Sequence, residues 1–248
     1  MSLLALALVF LIGALIGAVG VGGFLLVPVL VFLDGRPVRD AVILATVSFV
    51  GAGLAALYME TRQRGWSGAA SRTFVLASAP GALIGALLLR VIAGPAISLA
   101  IAIAVGLAGL AELLGVPKKT AYDPRPWRAA LNGLLTGTAS ALTGTSGPLI
   151  GMPLLALSGI PIIERIRTSQ LAQLPIALTA TAVFLTAGDI FWRYAVASAA
   201  TLAAGALFGM RITPAVRPST LSKTAGILML LTACSMLLWL QTWWSRSD

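Results

Sequence analysis

The sequence predicts an all-α polytopic membrane protein: two inverted repeats of about five helical segments, each with a glycine-broken helical hairpin. Three observations predict it. The chain is 58% hydrophobic and only 10% charged, with a mean hydropathy of +0.98. A soluble domain of this size needs more polar surface than that. Continuously apolar tracts of about 18 residues or more recur along the whole length, which reads as transmembrane helices rather than the alternating strands of an outer-membrane barrel. Finally, a glycine motif occurs twice. Gly20-Val21-Gly22-Gly23-Phe24-Leu25-Leu26-Val27-Pro28 is matched by Thr145-Ser146-Gly147-Pro148-Leu149-Ile150-Gly151-Met152-Pro153, with Gly22 against Gly147 and Pro28 against Pro153 at one constant offset.

Taken in order, the first apolar helix lies near residues 3–19. It is read as a retained helix, because it lacks a basic leader and runs straight into the glycine motif. A short helix follows near 23–33, ended by Asp34-Gly35-Arg36-Pro37. Spans are expected near 39–58, stopping at Glu60, Arg62 and Arg64, then near 72–92 and 95–115. The most polar stretch, from Pro117-Lys118-Lys119 to Trp127-Arg128, links the halves. The second half repeats the rhythm, with helices near 129–144 and 148–158, a charged turn at Glu164, Arg165 and Arg167, and spans near 168–187, 193–211 and 219–240. The whole chain, 1–248, is read as one permease domain: repeat 1 about 1–116, linker about 117–128, repeat 2 about 129–248.

The short segments decide topology. Eleven residues rise about 16 Å, half the roughly 30 Å hydrocarbon core, so they cannot cross alone. Either each break sits inside one bent crossing or the chain turns back there. Bent crossings divide the 17 Lys and Arg nine to eight. Returning hairpins place twelve on one side: Arg62, Arg64, Arg72, Lys118, Lys119, Arg125, Arg128, Arg165, Arg167, Arg211, Arg217 and Lys223. The positive-inside rule therefore favours returning hairpins, a cytoplasmic linker and external termini. This arrangement also makes the halves inverted repeats. Trp66, Trp127, Trp192, Trp239, Trp243 and Trp244 fall at or near proposed span ends, where amphipathic rings prefer the interface.

A broken helix exposes N–H groups and about half a positive charge at its new N-terminus, an anion site that needs no charged side chain. Paired breaks in the two halves are the best sequence pointer to a transporter's binding site; the alternative is that these glycines only allow close helix packing. Candidate binding groups are Gly22 and Gly23 at the first break, and Thr145, Ser146 and Gly147 at the second. The polar helix starts that follow add Thr46, Ser48, Ser169 and Gln170, with Thr138, Thr143 and Gln173 nearby. Gly81-Ala82-Leu83-Ile84-Gly85 reads as plain packing. Arg165 and Arg167 read as topology signals rather than ligands, and Cys234 as a small buried hydrophobe in the last span.

At these residues the chain resembles the sulfite exporter TauE/SafE family of membrane permeases, over essentially its whole length. The paired glycine motifs with their downstream prolines carry the resemblance, together with Ala45-Thr46-Val47-Ser48 and Arg167-Thr168-Ser169-Gln170. The first motif has one glycine fewer than the family's usual run, and Thr145-Ser146 replaces glycines kept by many members. The resemblance implies transport of small sulfur-containing anions, often outward across a bacterial-type inner (plasma) membrane. The expected function is a secondary exporter of sulfite, thiosulfate or a C2 sulfonate resembling sulfoacetate, working by alternating access, with a passive anion channel or facilitator as the alternative. An enzyme is not expected, since the chain has no His and a single Cys and shows no paired mid-span carboxylates. No cofactor, metal or nucleic-acid partner is expected either; the net charge of +9 is assigned to topology. The expected partners are the anionic substrate and the lipid bilayer.

Overall fold

The computed structural model describes residues 3–20, 22–62, 68–114, 125–160, 162–188, 190–212, 226–227, 229–238 and 240. Lys118, Lys119 and most of the linker, Arg64, Trp66, Asp189, Arg217, Lys223, the start of the last span, Trp239, Trp243, Trp244 and Arg246 lie outside the described residues. The described chain is helical, without strands. Its helices are α1 (Leu3–Val19), α2 (Leu26–Phe32), α3 (Val38–Arg62), α4 (Ala69–Val91), α5 (Gly94–Leu114), α6 (Pro126–Thr143), α7 (Gly147–Leu157), α8 (Ile162–Ala187), α9 (Trp192–Ile212) and α10 (Met229–Leu238). Four of them are long and apolar enough to cross a membrane: α3, α4, Gly94–Ala111 of α5 and Glu164–Thr186 of α8.

The chain turns back at both breaks. A β-carbon on Gly22 would lie 2.8 Å from Leu15 Cβ and 3.3 Å from the carbonyl oxygen of Ile12. A continued helix would instead carry residue 22 about 15 Å beyond residue 12. In the second half, the Asn132 amide of α6 donates to Ser158 Oγ at 3.1 Å and to the Leu154 carbonyl at 3.4 Å. Thr136, one turn further along α6, lies against Gly151, so α7 runs antiparallel to α6. Glycines in the left-handed region make the turns: Gly20 at φ 79° and Gly144 at φ 63°, where a side chain would be strained. Gly22 (φ 164°, ψ −26°) needs no such freedom; it is small because α1 is against it.

Several helix ends differ from the sequence expectation. The short segment after the first break is a 3₁₀ turn, Gly23–Leu25, leading into only seven residues of α-helix. Helix α8 begins at Ile162, so Glu164, Arg165 and Arg167 are helical rather than a charged turn; Glu164 in the first turn suits the positive end of the helix dipole. Likewise α3 runs on to Arg62 and takes in Glu60. Helix α6 starts at Pro126, which loses no helical hydrogen bond there.

Packing between the halves dominates. Helix α1 lies on α9, α4 on α6, α3 on α8 and α9, and α4 on α8. Four glycine pairs at four-residue spacing make two of these contacts reciprocal. Gly13 and Gly17 of α1 meet Leu202 and Ala206 of α9, while Gly205 and Gly209 meet Phe10 and Ala14. Gly81 and Gly85 of α4 meet Leu134 and Thr138 of α6, while Gly133 and Gly137 meet Phe74 and Ser78. Small residues at this spacing let membrane helices touch backbone to backbone, so the Gly81–Gly85 stretch is indeed packing.

Cys234 corrects an expectation. It is exposed, because α10 faces α5 with Met229 and Ala233, which meet Gly109 and Gly106, and Cys234 lies off that face.

Candidate functional site: the two breaks in contact

The two breaks meet. A β-carbon on Gly23 would stand 2.5 Å from Ser146 Cβ, 2.6 Å from Ser146 Oγ and 2.8 Å from the ring of Phe49 on α3. Gly147 lies against Ile176 and the Ser169 carbonyl of α8, with the backbone nitrogen of Gln173 3.7 Å from its would-be β-carbon. One turn on, Gly151 is enclosed by Phe74 of α4, Thr136 of α6 and Ser169 of α8. The first turns of α7 are thus wedged between α6 and α8, with the first break across from Ser146.

The polar side chains here fall into two classes. Some are consumed by the protein. Thr46 and Ser48 donate to the carbonyls of Val42 (2.8 Å) and Leu44 (2.7 Å) in their own helix. Ser169 donates to the carbonyl of Arg165. Thr143 donates to the Ala139 carbonyl at 2.7 Å. The 2.8 Å contact between Thr143 and Thr145 must then have Thr145 as the donor, so its proton is used as well. Gln170 donates from Nε2 to the Ile16 carbonyl at 2.7 Å, as a second donor to an oxygen that already accepts the Gly20 backbone N–H at 2.8 Å.

The others are buried and have no hydrogen-bond partner among the described residues: Ser146 Oγ, Thr136 Oγ1, Ser140 Oγ, Thr168 Oγ1 and both amide atoms of Gln173. Ser146, Thr136 and Thr168 are fully buried, and Ser140 and Gln173 nearly so. An unmade hydrogen bond at such a position costs about 1–3 kcal/mol, and buried polar groups are satisfied as a rule. Ser146 is telling, because a serine at this helix start normally caps its own helix, yet it makes no cap bond. Ser146, Gln173, Thr136 and Ser140 belong to the break, α8 and α6, the three elements that flank the start of α7.

Of the residues expected from sequence, Gly23, Ser146 and Gly147 come together directly, and Ser169 borders them. Gly22 packs on α1 instead. Thr46 lies one turn from Val42, which touches Gly144. Sequence reasoning missed Thr136, Ser140 and Phe49. For the first two the signal was available as hydroxyls four residues apart on α6, which share one face of that helix.

A family model described as sulfite exporter TauE/SafE matches residues 5–236. No curated protein matches the chain. The chain belongs to the TauE/SafE family, a family of membrane transporters of sulfite-type anions, and is a multi-pass membrane protein.

Proposed function

From that membership we propose a secondary transporter, working as an exporter, of a small organosulfur anion such as sulfite, thiosulfate or a C2 sulfonate. The anion binds where the two breaks touch, near the membrane midplane. One observation carries the site: unpartnered, buried donors flank the buried start of α7. The hydroxyls of Ser146, Thr136 and Ser140 and the Gln173 amide can donate to an oxyanion, and the α7 N-terminus adds about half a positive charge. None of these donors is a charged side chain, so binding at the breaks is weak enough for release.

The remaining expected residues have supporting parts. Gly22 and Gly23 hold the first break against α1 and Ser146. Gln170 and Ser169 fix α8, Thr145 fixes the second turn, and Thr46 and Ser48 are buried in α3 beside them. The reciprocal packing of α1 on α9 and of α6 on α4 supports two repeats related by a dyad, and the charge count supports inverting them. Alternating access would follow from one repeat rocking on the other, with the linker cytoplasmic and the termini outside a bacterial-type inner membrane.

A thermal-shift panel on the purified protein tests this, with sulfite, thiosulfate, sulfoacetate, taurine, sulfate and chloride. A ligand at a hundredfold excess over Kd stabilises the fold by about 2.7 kcal/mol. A selective shift with a sulfur oxyanion or sulfonate, abolished in Gln173→Leu, is expected. Equal shifts with all anions, or a shift that survives Gln173→Leu, would refute the assignment.

A further inference from the structure

The seam between α3 and α8 leads away from the breaks and ends in a buried charge. On α3, Phe49, Gly53 and Glu60 are four and seven residues apart and share one face. Phe49 touches the first break at Gly23, and Gly53 packs on Leu174 of α8. Glu60 faces Arg167, seven residues before Leu174, with Oε2 3.7 Å from Nε. The helices therefore run antiparallel, and the pair closes the seam about 16 Å along α3 from the break contact.

This pair has an unusual form for a structural tie. The Glu60 carboxylate is only 5% exposed and Arg167 is 36% exposed. A buried carboxylate is costly unless it is closely paired and hydrogen-bonded. Strong Arg–carboxylate pairs are short and often bidentate. This one exceeds hydrogen-bond reach, and Oε1 has no hydrogen-bond partner. The Arg167 side chain is partly exposed, and a guanidinium is the group best matched to a two-oxygen contact with an oxyanion.

Resting on the function proposed above, we propose that Arg167 is the docking residue for the anion at the mouth of the α3–α8 seam. Glu60 is its resident counter-ion and holds the seam shut until an anion takes its place. The exchange is a substitution of one anion for another on Arg167, with no covalent step. Once displaced, the buried Glu60 carboxylate repels the anion, so residence at the mouth is short. The Ser71 hydroxyl of α4, which donates to Glu164 at 2.9 Å, holds the first turn of α8 in place beside the pair.

Calorimetric titration of the full-length protein with sulfite tests the exchange. Glu60→Gln removes the competitor and is expected to tighten Kd about tenfold. Arg167→Gln is expected to weaken it about tenfold or more, and Arg167→Lys to restore part of the loss. A tie that serves only stability would lower the melting temperature of both variants and leave both Kd values at wild type. That result, or a Kd change of the same sign in both, overturns the proposal. A second readout needs no substrate. In a Cys234→Ser background carrying Ser146→Cys, adding Glu60→Gln is expected to speed maleimide labelling of position 146 at least about tenfold. Unchanged labelling overturns the latch even where sulfite binds. Faster labelling in a protein that binds no sulfite keeps the latch and refutes only the substrate class.

Discussion

The two glycine breaks begin from the same sequence idea and end as different devices. The second is a full helix start: an αL glycine, Gly144, then Ser146, Gly147 and Pro148 leading eleven residues of helix. It carries hydroxyls, and those on Ser146, Thr136 and Ser140 have no protein partner. The first is a 3₁₀ turn with a seven-residue helix, and its residues offer only backbone and apolar side chains. Its contribution is surface. Gly23 supplies a flat patch against which Ser146 sits, and Gly22 lets the chain fold back on α1. A duplicated motif has thus divided its labour, with one copy holding chemistry and the other shape.

The largest effect should come from spoiling that flat patch. In Gly23→Leu the new β-carbon alone would enter the space of Ser146 and Phe49, and the backbone of the break cannot move aside without shifting α7. Overpacking of this kind costs about 1–3 kcal/mol or more, and transport in liposomes should be lost. Gly68→Ala is the control. Gly68 has nothing within 4 Å of a β-carbon and should leave flux unchanged. Substantial flux in Gly23→Leu would mean that the two breaks do not share a site.

How far the sequence revealed this difference follows from what each feature depends on. Helix positions were legible because apolar length and glycine breaks are local properties: α1 lies at Leu3–Val19 as expected, and most other ends fall within a few residues. The turn back at each break was expected from the short apolar segments together with the charge count. Which polar groups are free was not legible, because it depends on partners distant in sequence. Gln170 and Gln173 look alike in the sequence, three residues apart. Only the fold shows Gln170 bonded to Ile16 on α1 and Gln173 without a partner among the described residues. The hydroxyls of Thr46 and Ser48 donate to carbonyls a turn back in their own helix, as hydroxyls in helices do, whereas Thr145, between two helices, donates to the Thr143 hydroxyl. Cys234 was misjudged because the apolar α10 carries no sequence signal for which face meets α5.

That pair of glutamines sharpens the comparison next. Gln173→Leu removes two unpartnered buried polar atoms from beside the α7 start, and should raise unfolding stability by about 1–3 kcal/mol while abolishing anion binding. Gln170→Leu removes a buried hydrogen bond from α8 to α1, leaving the Ile16 carbonyl with the Gly20 N–H alone, and should lower stability by about 1 kcal/mol. Opposite signs in thermal unfolding, measured without ligand, are the expected result. A loss of stability in Gln173→Leu would show that its amide is satisfied within the protein and has no ligand to wait for.

The smallest effect separates two neighbouring hydroxyls at the second break. Ser146 has no hydrogen-bond partner and faces Gly23. Thr145 donates to Thr143 as part of a chain ending at the Ala139 carbonyl. Ser146→Ala takes away a donor that only the ligand can use. It should weaken anion binding about tenfold, equivalent to ~1.4 kcal/mol, with unfolding stability unchanged or slightly raised. Thr145→Val is nearly the same size and takes away a hydrogen bond within the protein. It should cost about 1 kcal/mol of stability and leave the anion Kd near wild type, because that hydroxyl has no proton left to give. Titrating both variants with the anion selected by the thermal-shift panel would decide the matter. Equal losses of affinity would mean that the Thr145–Thr143 chain reverses on binding, with Thr143 releasing Ala139 and donating to Thr145, so that the Thr145 proton turns to the ligand.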